Sequence, residues 1–568
     1  MESATAAAKT ERPRALEAAT LCEAFQLTAA ERPDQVALRT PGDAVSITFS
    51  EYAARVERIV AGLDALGVGR GDTVGLMLTN RPEFNLLDTG ALHLGATPFS
   101  IYNTSAAEQI DYLFSNAENR VAVTERAFLP QILGARERSQ RLEHVVLVDG
   151  EEEGTISLTE LEEMGSSQFD FEASWRAVEP SDVLTLIYTS GTTGPPKGVQ
   201  LTHANMIAGL AGSTSRLPTT PGGRVVSYLP AAHVADRYLH YWSSMCMGFA
   251  MTCVADPRTI VANLPECRPT VWFSVPRIWE KIKAALEAQG IADPEALADE
   301  QKAGVRAKLG LDQHDWLASG AAPIPVEVLH YFAGLGIPIC ELWGMSELTG
   351  IVTVSPPDRI KPGTCGPPIE GAEVKLAEDG EVMVRGPLVM KGYRSDPEKT
   401  AETIDADGWL HTGDIGELDE DGYLSIVDRK KELIINAAGK NMSPANIESR
   451  LKASHPLIGQ CIAIGDRRPY NVALIVLDPD VAAAFAEEHG LPDSSPAALA
   501  EEESAQAAVA AAVEDANSHL SRVEQVKRFT ILPTDWLPDS DELTPTQKLK
   551  RKPIAEKYAP EIEALYGG

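Results

Sequence analysis

The 568-residue chain has no CxxC pair. Its seven cysteines, Cys22, Cys246, Cys253, Cys267, Cys340, Cys365 and Cys461, are odd in number and scattered. Zinc ribbons and disulfide scaffolds need sulfurs close together or evenly paired, so neither is expected, and the usage is that of a reduced, cytoplasmic protein. Positive charge is also scarce. Fifty Lys and Arg against 82 Asp and Glu leave a formal net charge of −32, which argues against nucleic acid as a main partner because phosphate neutralisation requires clustered cations. An anionic ligand would have to be drawn by a local pocket. A secretory leader is not expected either, since "MESATAAAKTERPRALEAAT" lacks a continuous apolar core. One uncharged run is long, "YLHYWSSMCMGFAMTCVA" from Tyr238, but it contains His240, Gly248 and Thr252. It predicts a buried helix, a Gly turn and a buried strand rather than a transmembrane segment. Peripheral membrane contact and oligomeric state stay open.

What is present is a long chain of ordinary apolar content (44%), enough for two to four domains with a large interior. In the first third, helical periodicity in "ITFSEYAARVERIVAGLDALGV" and "RPEFNLLDTGALHLG" alternates with short apolar runs, "DTVGLML", "RVAVTE" and "HVVLVDG". That alternation implies βαβ crossovers and an α/β fold with mostly parallel, doubly covered sheets. After about residue 365, "GEVMVRG", "GYLSIVDRK" and "NVALIVLD" lie between Asp-Gly turn signals and read as antiparallel hairpins. A boundary is expected at Asp428, followed by a compact α+β pattern. The Ala- and Glu-rich stretch from Leu491 to Leu520 predicts a solvated helix.

"YTSGTTGPPKGVQLTH", Tyr188 to His203, has the look of a phosphate loop but not the Walker A spacing, GxxxxGK followed by Ser or Thr. Thr189, Ser190, Thr192 and Thr193 offer hydroxyls, Gly191 and Gly194 allow close backbone approach, and Lys197 adds a mobile cation. These suit phosphate oxygens; a Ser/Thr/Gly surface turn is the bland alternative. The preceding strand "DVLTLIY" and the following helix-like "HANMIAGLAGSTS" predict a strand, glycine loop, helix arrangement with amides at the carboxyl end of a strand. GxSxG, HExxH and a GxGxxG opening a helix are absent.

The loop resembles the signature of the adenylate-forming superfamily of acyl-CoA synthetases, luciferases and peptide-synthetase adenylation domains. Six further stretches resemble that family in its own order: "YLPAAHVADR", "SGAAPI", "LWGMSE", "WLHTGDIG", "DRKKELIINAAGKNMSPANIE" and "TPTQKLKRK". The resemblance implies a large multi-layer N-terminal domain, residues 1–428, with a distorted antiparallel barrel-like part. It also implies a small mobile α+β C-terminal domain, residues 429–568. ATP and a carboxylic acid would give acyl-AMP and pyrophosphate, and a thiol, usually CoA, would then take the acyl group.

By that resemblance Lys548 is the lysine that reaches the α-phosphate, with Gln547 where the commoner form has Gly and Lys550 close by. Glu347 and the Thr189 hydroxyl stand as Mg²⁺ ligands, an oxygen-only set of the kind Mg²⁺ prefers. Trp343 takes the adenine-stacking position, beside Gly344 and Ser346, and Gly320, Ala321 and Ala322 belong to the "SGAAPI" segment that also meets the nucleotide. Asp414 resembles the ribose acceptor and Arg429 the cation on ribose and phosphate. Lys431 falls at the hinge, Gly439 and Lys440 line the thiol tunnel, and His233 gates the substrate carboxylate. "VPRIWEKI" from Val275, with the last two motifs, looks most like long-chain fatty acyl-CoA synthetases. A ligase that loads a carrier protein, ligases for aryl, branched or steroid-side-chain acids, and a nucleotide-binding scaffold without turnover are the alternatives.

Overall fold

The computed structural model describes residues 12–567 apart from 139–140, 190–194, 437–440, 538–539 and 545–547. The parallel sheet expected from the first third is present. It has eight strands in the order Gly392–Tyr393, Lys197–Thr202, Val183–Thr189, Thr97–Ser100, Thr73–Met77, Val121–Thr124, His144–Leu147, Ile156–Ser157. From Val183–Thr189 onward in that order every pair is parallel. Alternate side chains enter opposite cores: Val121, Val123 and Val146 face one cluster, while Ala122, Val145 and Leu147 face another. That is the period-two signature of a sheet covered on both faces.

The helices Phe49–Ala65 and Pro82–His93 cover one face. The first is started by a capping box, in which Thr48 Oγ1 accepts the Glu51 amide and Glu51 accepts the Thr48 amide. The two helices approach closely because Gly90 has no side chain; a Cβ there would lie 2.6 Å from Ile59 Cγ2.

The structure corrects the expected strand, glycine loop, helix unit. Val183–Thr189 does not lead through the loop into a helix; it pairs antiparallel with Lys197–Thr202, Thr189 opposite Lys197, and only then does the helix His203–Ser213 begin. The alternation of apolar Val199 and Leu201 with polar Gln200 and Thr202 favours a return strand, so Thr189 and Lys197 flank the tip of a hairpin. Its tip residues, Ser190, Gly191, Thr192, Thr193 and Gly194, lie outside the described residues.

A second sheet runs Val271–Ser274, Trp316–Ser319, Ile339–Trp343 in parallel and ends on the antiparallel Thr353–Val354. A third, Glu373–Leu376, Glu381–Arg385, Leu410–Leu418, Leu424–Arg429, is antiparallel throughout. Its Asp-Gly turns place Gly380 and Gly422 at positive φ, as such hairpins require. The run at Tyr238 is a helical stretch through Met247, a left-handed Gly248 and the buried strand Ala250–Cys253. Among the described residues no helix is long and apolar enough to cross a membrane.

From Ile434 onward a separate hydrophobic core begins. Strands Ile458–Ile464 and Asn471–Leu477 form a hairpin, and Val526–Ile531 adds in parallel. Cys461, Ala473, Ile475 and Leu477 face the helices Pro444–Ser454 and Glu503–Ser518, while Ile462, Leu474 and Val476 face the C-terminal helices. The Ala-rich stretch is therefore not one solvated helix. It forms two, and Ala505, Val509, Ala512 and Ala516 of the longer one are buried at helical spacing in this core. Small side chains there permit close packing on the sheet's helix layer.

Candidate active site

Strands from three sheets deliver the site residues to one place. Ile339–Trp343 is buried along its whole length and ends in Trp343. Beyond it the chain must fold tightly: a Cβ on Gly344 would lie 1.5 Å from the Gly350 carbonyl oxygen. Only glycine fits, and the turn that follows, Ser346–Leu348, holds Ser346 and Glu347 buried. Gly320, at the end of the neighbouring strand, is similarly constrained, with Leu342 O 2.9 Å from the position of its missing Cβ. Ala321 adopts a positive φ of 66°, and Ala321 and Ala322 are exposed.

Asp414 and Arg429 are register partners on adjacent antiparallel strands. Arg429 Nε reaches Asp414 Oδ1 at 2.7 Å, and the Trp343 indole N–H donates to Asp414 Oδ2 at 2.9 Å. The carboxylate is thus pinned from both sides. Burial raises its pKa and the Arg429 guanidinium opposes that rise. The edge of Trp343, expected to stack on adenine, holds Asp414 in this arrangement.

Glu347 accepts a hydrogen bond on Oε1 from the Tyr393 hydroxyl at 2.9 Å. Tyr393 lies on Gly392–Tyr393, the strand that pairs with the return strand of the hairpin, and the Lys197 ammonium sits 5.3 Å from its ring centroid. One tyrosine therefore joins the carboxylate to the loop lysine. The Lys197 pKa is lowered by burial first and by Lys399 next, with Asp396 and Glu347 opposing. Among the described residues no group of three or more His, Cys, Asp and Glu is placed to hold a metal. A buried carboxylate with one protein hydrogen bond, beside the hairpin that carries Thr189, fits Mg²⁺ where nucleotide phosphates supply other oxygens.

Lys548 is brought to this cluster from the far end of the chain. The Thr544 hydroxyl accepts the Lys548 amide at 3.0 Å, and Leu543 and Leu549 bridge. Lys548 keeps surface open to water although many protein atoms surround it. Its pKa is lowered by that crowding, then by Arg429, while Asp414, Glu432 and Glu347 pull the other way. Lys550, two residues on, is committed elsewhere: its ammonium donates to Ser540 O at 2.8 Å.

His233 also feels Lys548. Burial first, and the Lys548 charge second, depress its pKa to about 4, so it is neutral at pH 7. Its Nδ1 accepts the Ala235 amide at 3.2 Å, leaving the proton of the neutral ring on Nε2. The loop bearing it is anchored by Arg237, which is fully buried, paired with Asp88 at 2.7 Å and donating to Ala231 O at 3.0 Å. Asp236 accepts from Ser227 Oγ and pairs with His240. "VADR" thus supports the histidine rather than joining the chemistry.

The structure brings together Lys548, Arg429, Asp414, Trp343, Glu347, Lys197 and, through Lys548, His233. Lys431 is exposed two residues past the strand pair, while Gly439 and Lys440 lie outside the described residues. Sequence reasoning missed Tyr393, which sits alone in "KGYRSDPEK" with no periodic pattern to single it out. It also missed what Asp428 does. Its Oδ2 accepts Ser443 Oγ and the Ala445 amide at the start of Pro444–Ser454, tying the last strand of the barrel-like sheet to the first helix of the C-terminal core.

Comparison with known proteins shows the family. Residues 25–394 match the AMP-binding enzyme family and residues 431–568 its C-terminal domain. The chain is 51% identical over 450 residues to "Putative fatty-acid--CoA ligase fadD11" of Mycobacterium tuberculosis, covering 73% of this chain and 79% of that one. It is 36% identical to "Long-chain-fatty-acid--CoA ligase FadD15" of Mycobacterium bovis (94% and 95% covered) and 32% identical to "Long-chain-fatty-acid--CoA ligase ACSBG2" of Xenopus laevis (96% and 84%). Among solved structures, the adenylation domain of a Mycobacterium chelonae carboxylate reductase superposes with a TM-score of 0.79 at 21% identity, over 99% of this chain and 94% of that one. The anthranilate CoA ligase AuaEII superposes at 0.76 and 22%, over 95% and 97%; both report on fold. With both family domains matched in order and relatives above 30% identity along nearly its whole length, the chain belongs to the AMP-binding enzyme family.

Proposed function

We propose that the protein activates a fatty acid with ATP, giving acyl-AMP and pyrophosphate, and then transfers the acyl group to CoA. The observation that carries this reading is the placement of Lys548 beside Asp414, Arg429 and Glu347, although it lies more than a hundred residues from each in sequence. A carboxylate attacking an α-phosphate brings two anions together, and the new carboxyl–phosphorus bond forms as the bond to pyrophosphate breaks. Lys548 and Arg429 supply positive charge at that point. Asp414, pinned by Trp343 and Arg429, presents ionised acceptor oxygens to a ribose. Neutral His233 admits a carboxylate without adding a competing charge. When bound, Mg²⁺ neutralises charge on the pyrophosphate end; Glu347 and Thr189 would hold it. Turning residues 429–568 about Lys431 would then exchange Lys548 for Gly439 and Lys440, and the CoA thiol would displace AMP from the acyl carbon.

The relatives' names support a long-chain acid. A small apolar cavity of about 30 Å³, room for a water-sized group rather than an acyl chain, is lined by Leu210, Tyr238, Leu239, Met247, Phe249 and Ile351. It adjoins the site, since the Tyr238 ring packs over Gly350, six residues past Gly344. Two of its serine hydroxyls are turned to backbone: Ser213 donates to Leu210 O, and Ser243 to Leu239 O. A cytoplasmic setting suits such a reaction.

A panel of acids of increasing chain length with ATP, Mg²⁺ and CoA, scored by product mass, tests acid and acceptor together. Lys548→Ala should lower acid-dependent ATP/pyrophosphate exchange by about 10²-fold or more, while acyl transfer from supplied acyl-AMP to CoA persists. Equal loss of both steps would contradict the exchange of Lys548 for the tunnel segment.

A further inference from the structure

The helix Pro276–Ala288 carries the "PRIWEKI" stretch, and the site described above uses none of it. Its apolar residues explain half of the pattern: Trp279, Ile282 and Leu286 are buried in the core around Trp272 and Phe332. Its cations explain the other half. Arg277 and Lys281, one turn apart, face away from that core toward the C-terminal residues. Arg277 pairs with Asp478, 201 residues distant, and Lys281 with Asp480 at 3.0 Å. A third bridge, of opposite polarity, joins Glu327, on Val326–Gly334, to Arg450, on Pro444–Ser454, at 2.7 Å.

Asp478 has two tasks. Its Oδ1 caps the helix Pro479–Glu488 by accepting the amides of Asp480 and Val481, and its Oδ2 takes Arg277. The cap fixes the carboxylate's direction, so Arg277 meets a pre-aimed partner that is only 8% exposed. Arg277 also lies 3.4 Å from Glu280; that carboxylate steadies the guanidinium from its own helix.

Asp478, Asp480 and Arg450 move with Lys548. The strands Ile458–Ile464 and Asn471–Leu477 have their two faces in two cores, one holding the Pro444–Ser454 helix and the other holding Leu543 and Leu549, which flank Lys548. Arg551 ties the same parts together, with Nη1 and Nη2 on Glu448 at 2.6 and 2.8 Å. A turn that withdraws Lys548 from Asp414 must therefore part all three bridges.

We infer that Arg277 and Lys281 are positioning residues: with Asp478, Asp480 and the Glu327–Arg450 pair they form an electrostatic latch that holds Lys548 over the adenylation site, and opening the latch accompanies the passage to the thioester step. This rests on the two-step reading above. Arg277→Gln removes one charge without shortening the reach much. Asp478→Asn removes the opposing charge while keeping an N-cap side chain. Each is expected to lower acid-dependent ATP/pyrophosphate exchange about tenfold, the scale of a partly buried charge pair, and to leave CoA thioester formation from supplied acyl-AMP undiminished. Lys281→Asp should lower exchange a few-fold, and adding Asp480→Lys should restore it. Raising sodium chloride from 50 to 500 mM, which shortens the screening length, should slow exchange more in the unaltered protein than in Arg277→Gln.

X-ray scattering of the ligand-free full chain gives a readout independent of turnover: both neutralising variants should adopt a different average lobe spacing. The latch is overturned if lobe spacing and exchange are unchanged in both variants, if both half-reactions fall equally, or if the 281/480 swap fails to restore what Lys281→Asp lost. Absence of exchange in the unaltered protein with every acid would instead refute the two-step reading, while scattering would still decide the latch.

Discussion

Glu341 makes a quantitative prediction about the strand that carries the site. It lies two residues before Trp343, is 8% exposed, and accepts the Gly363 amide on Oε2 at 2.8 Å. Burial pushes its carboxyl up from the ordinary 4.5 to about 7, against the lowering effect of the Gly363 and Thr364 amides. Below pH 4.5 the group is protonated in both folded and unfolded chains and contributes no penalty. Between 4.5 and about 7 the unfolded chain ionises first, so stability falls as pH rises. Above about 7 the loss is complete. At 1.36 kcal/mol for each pH unit, it amounts to about 3 kcal/mol. Glu341→Gln removes the ionisation and keeps an acceptor for Gly363. Urea denaturation of both proteins at pH 5 and pH 8, followed by tryptophan fluorescence, reads the difference between them, in which shared titrations cancel. The variant should gain about 3 kcal/mol relative to the parent at pH 8 and less than about 1 kcal/mol at pH 5. An equal effect at the two pH values would show that burial of the charge is not what Glu341 experiences.

Two other substitutions test the site's construction. Tyr393→Phe removes the donor to Glu347 and keeps the ring under Lys197; calorimetric titration with ATP at stepped Mg²⁺ should show about a fivefold higher Mg²⁺ requirement, the scale of one hydrogen bond, and an unchanged requirement would free Glu347 from dependence on Tyr393. Gly344→Ala would drive a methyl group into the Gly350 carbonyl and should cost about 3 kcal/mol or more, the upper range for overpacking; a melting temperature within a degree of the parent would refute the close approach.

The sequence by itself determined the order of the chemistry-bearing stretches, the α/β class and the change to antiparallel hairpins after residue 365, because period-two and helical patterns and Asp-Gly turns are local signals. It also singled out Lys548, Glu347, Asp414 and Arg429 through short motifs. Only the tertiary structure decided that Lys197 begins a return strand, since "KGVQLT" gains its partner by pairing with Val183–Thr189. The same holds for the Ala-rich helices, whose buried face exists only against the sheet of the C-terminal core. Tyr393 on Glu347, Trp343 on Asp414, and Arg277 on Asp478 join residues 46, 71 and 201 positions apart. Side-chain contacts at such separations leave no periodicity in a single chain, so the fold alone reveals which charges meet.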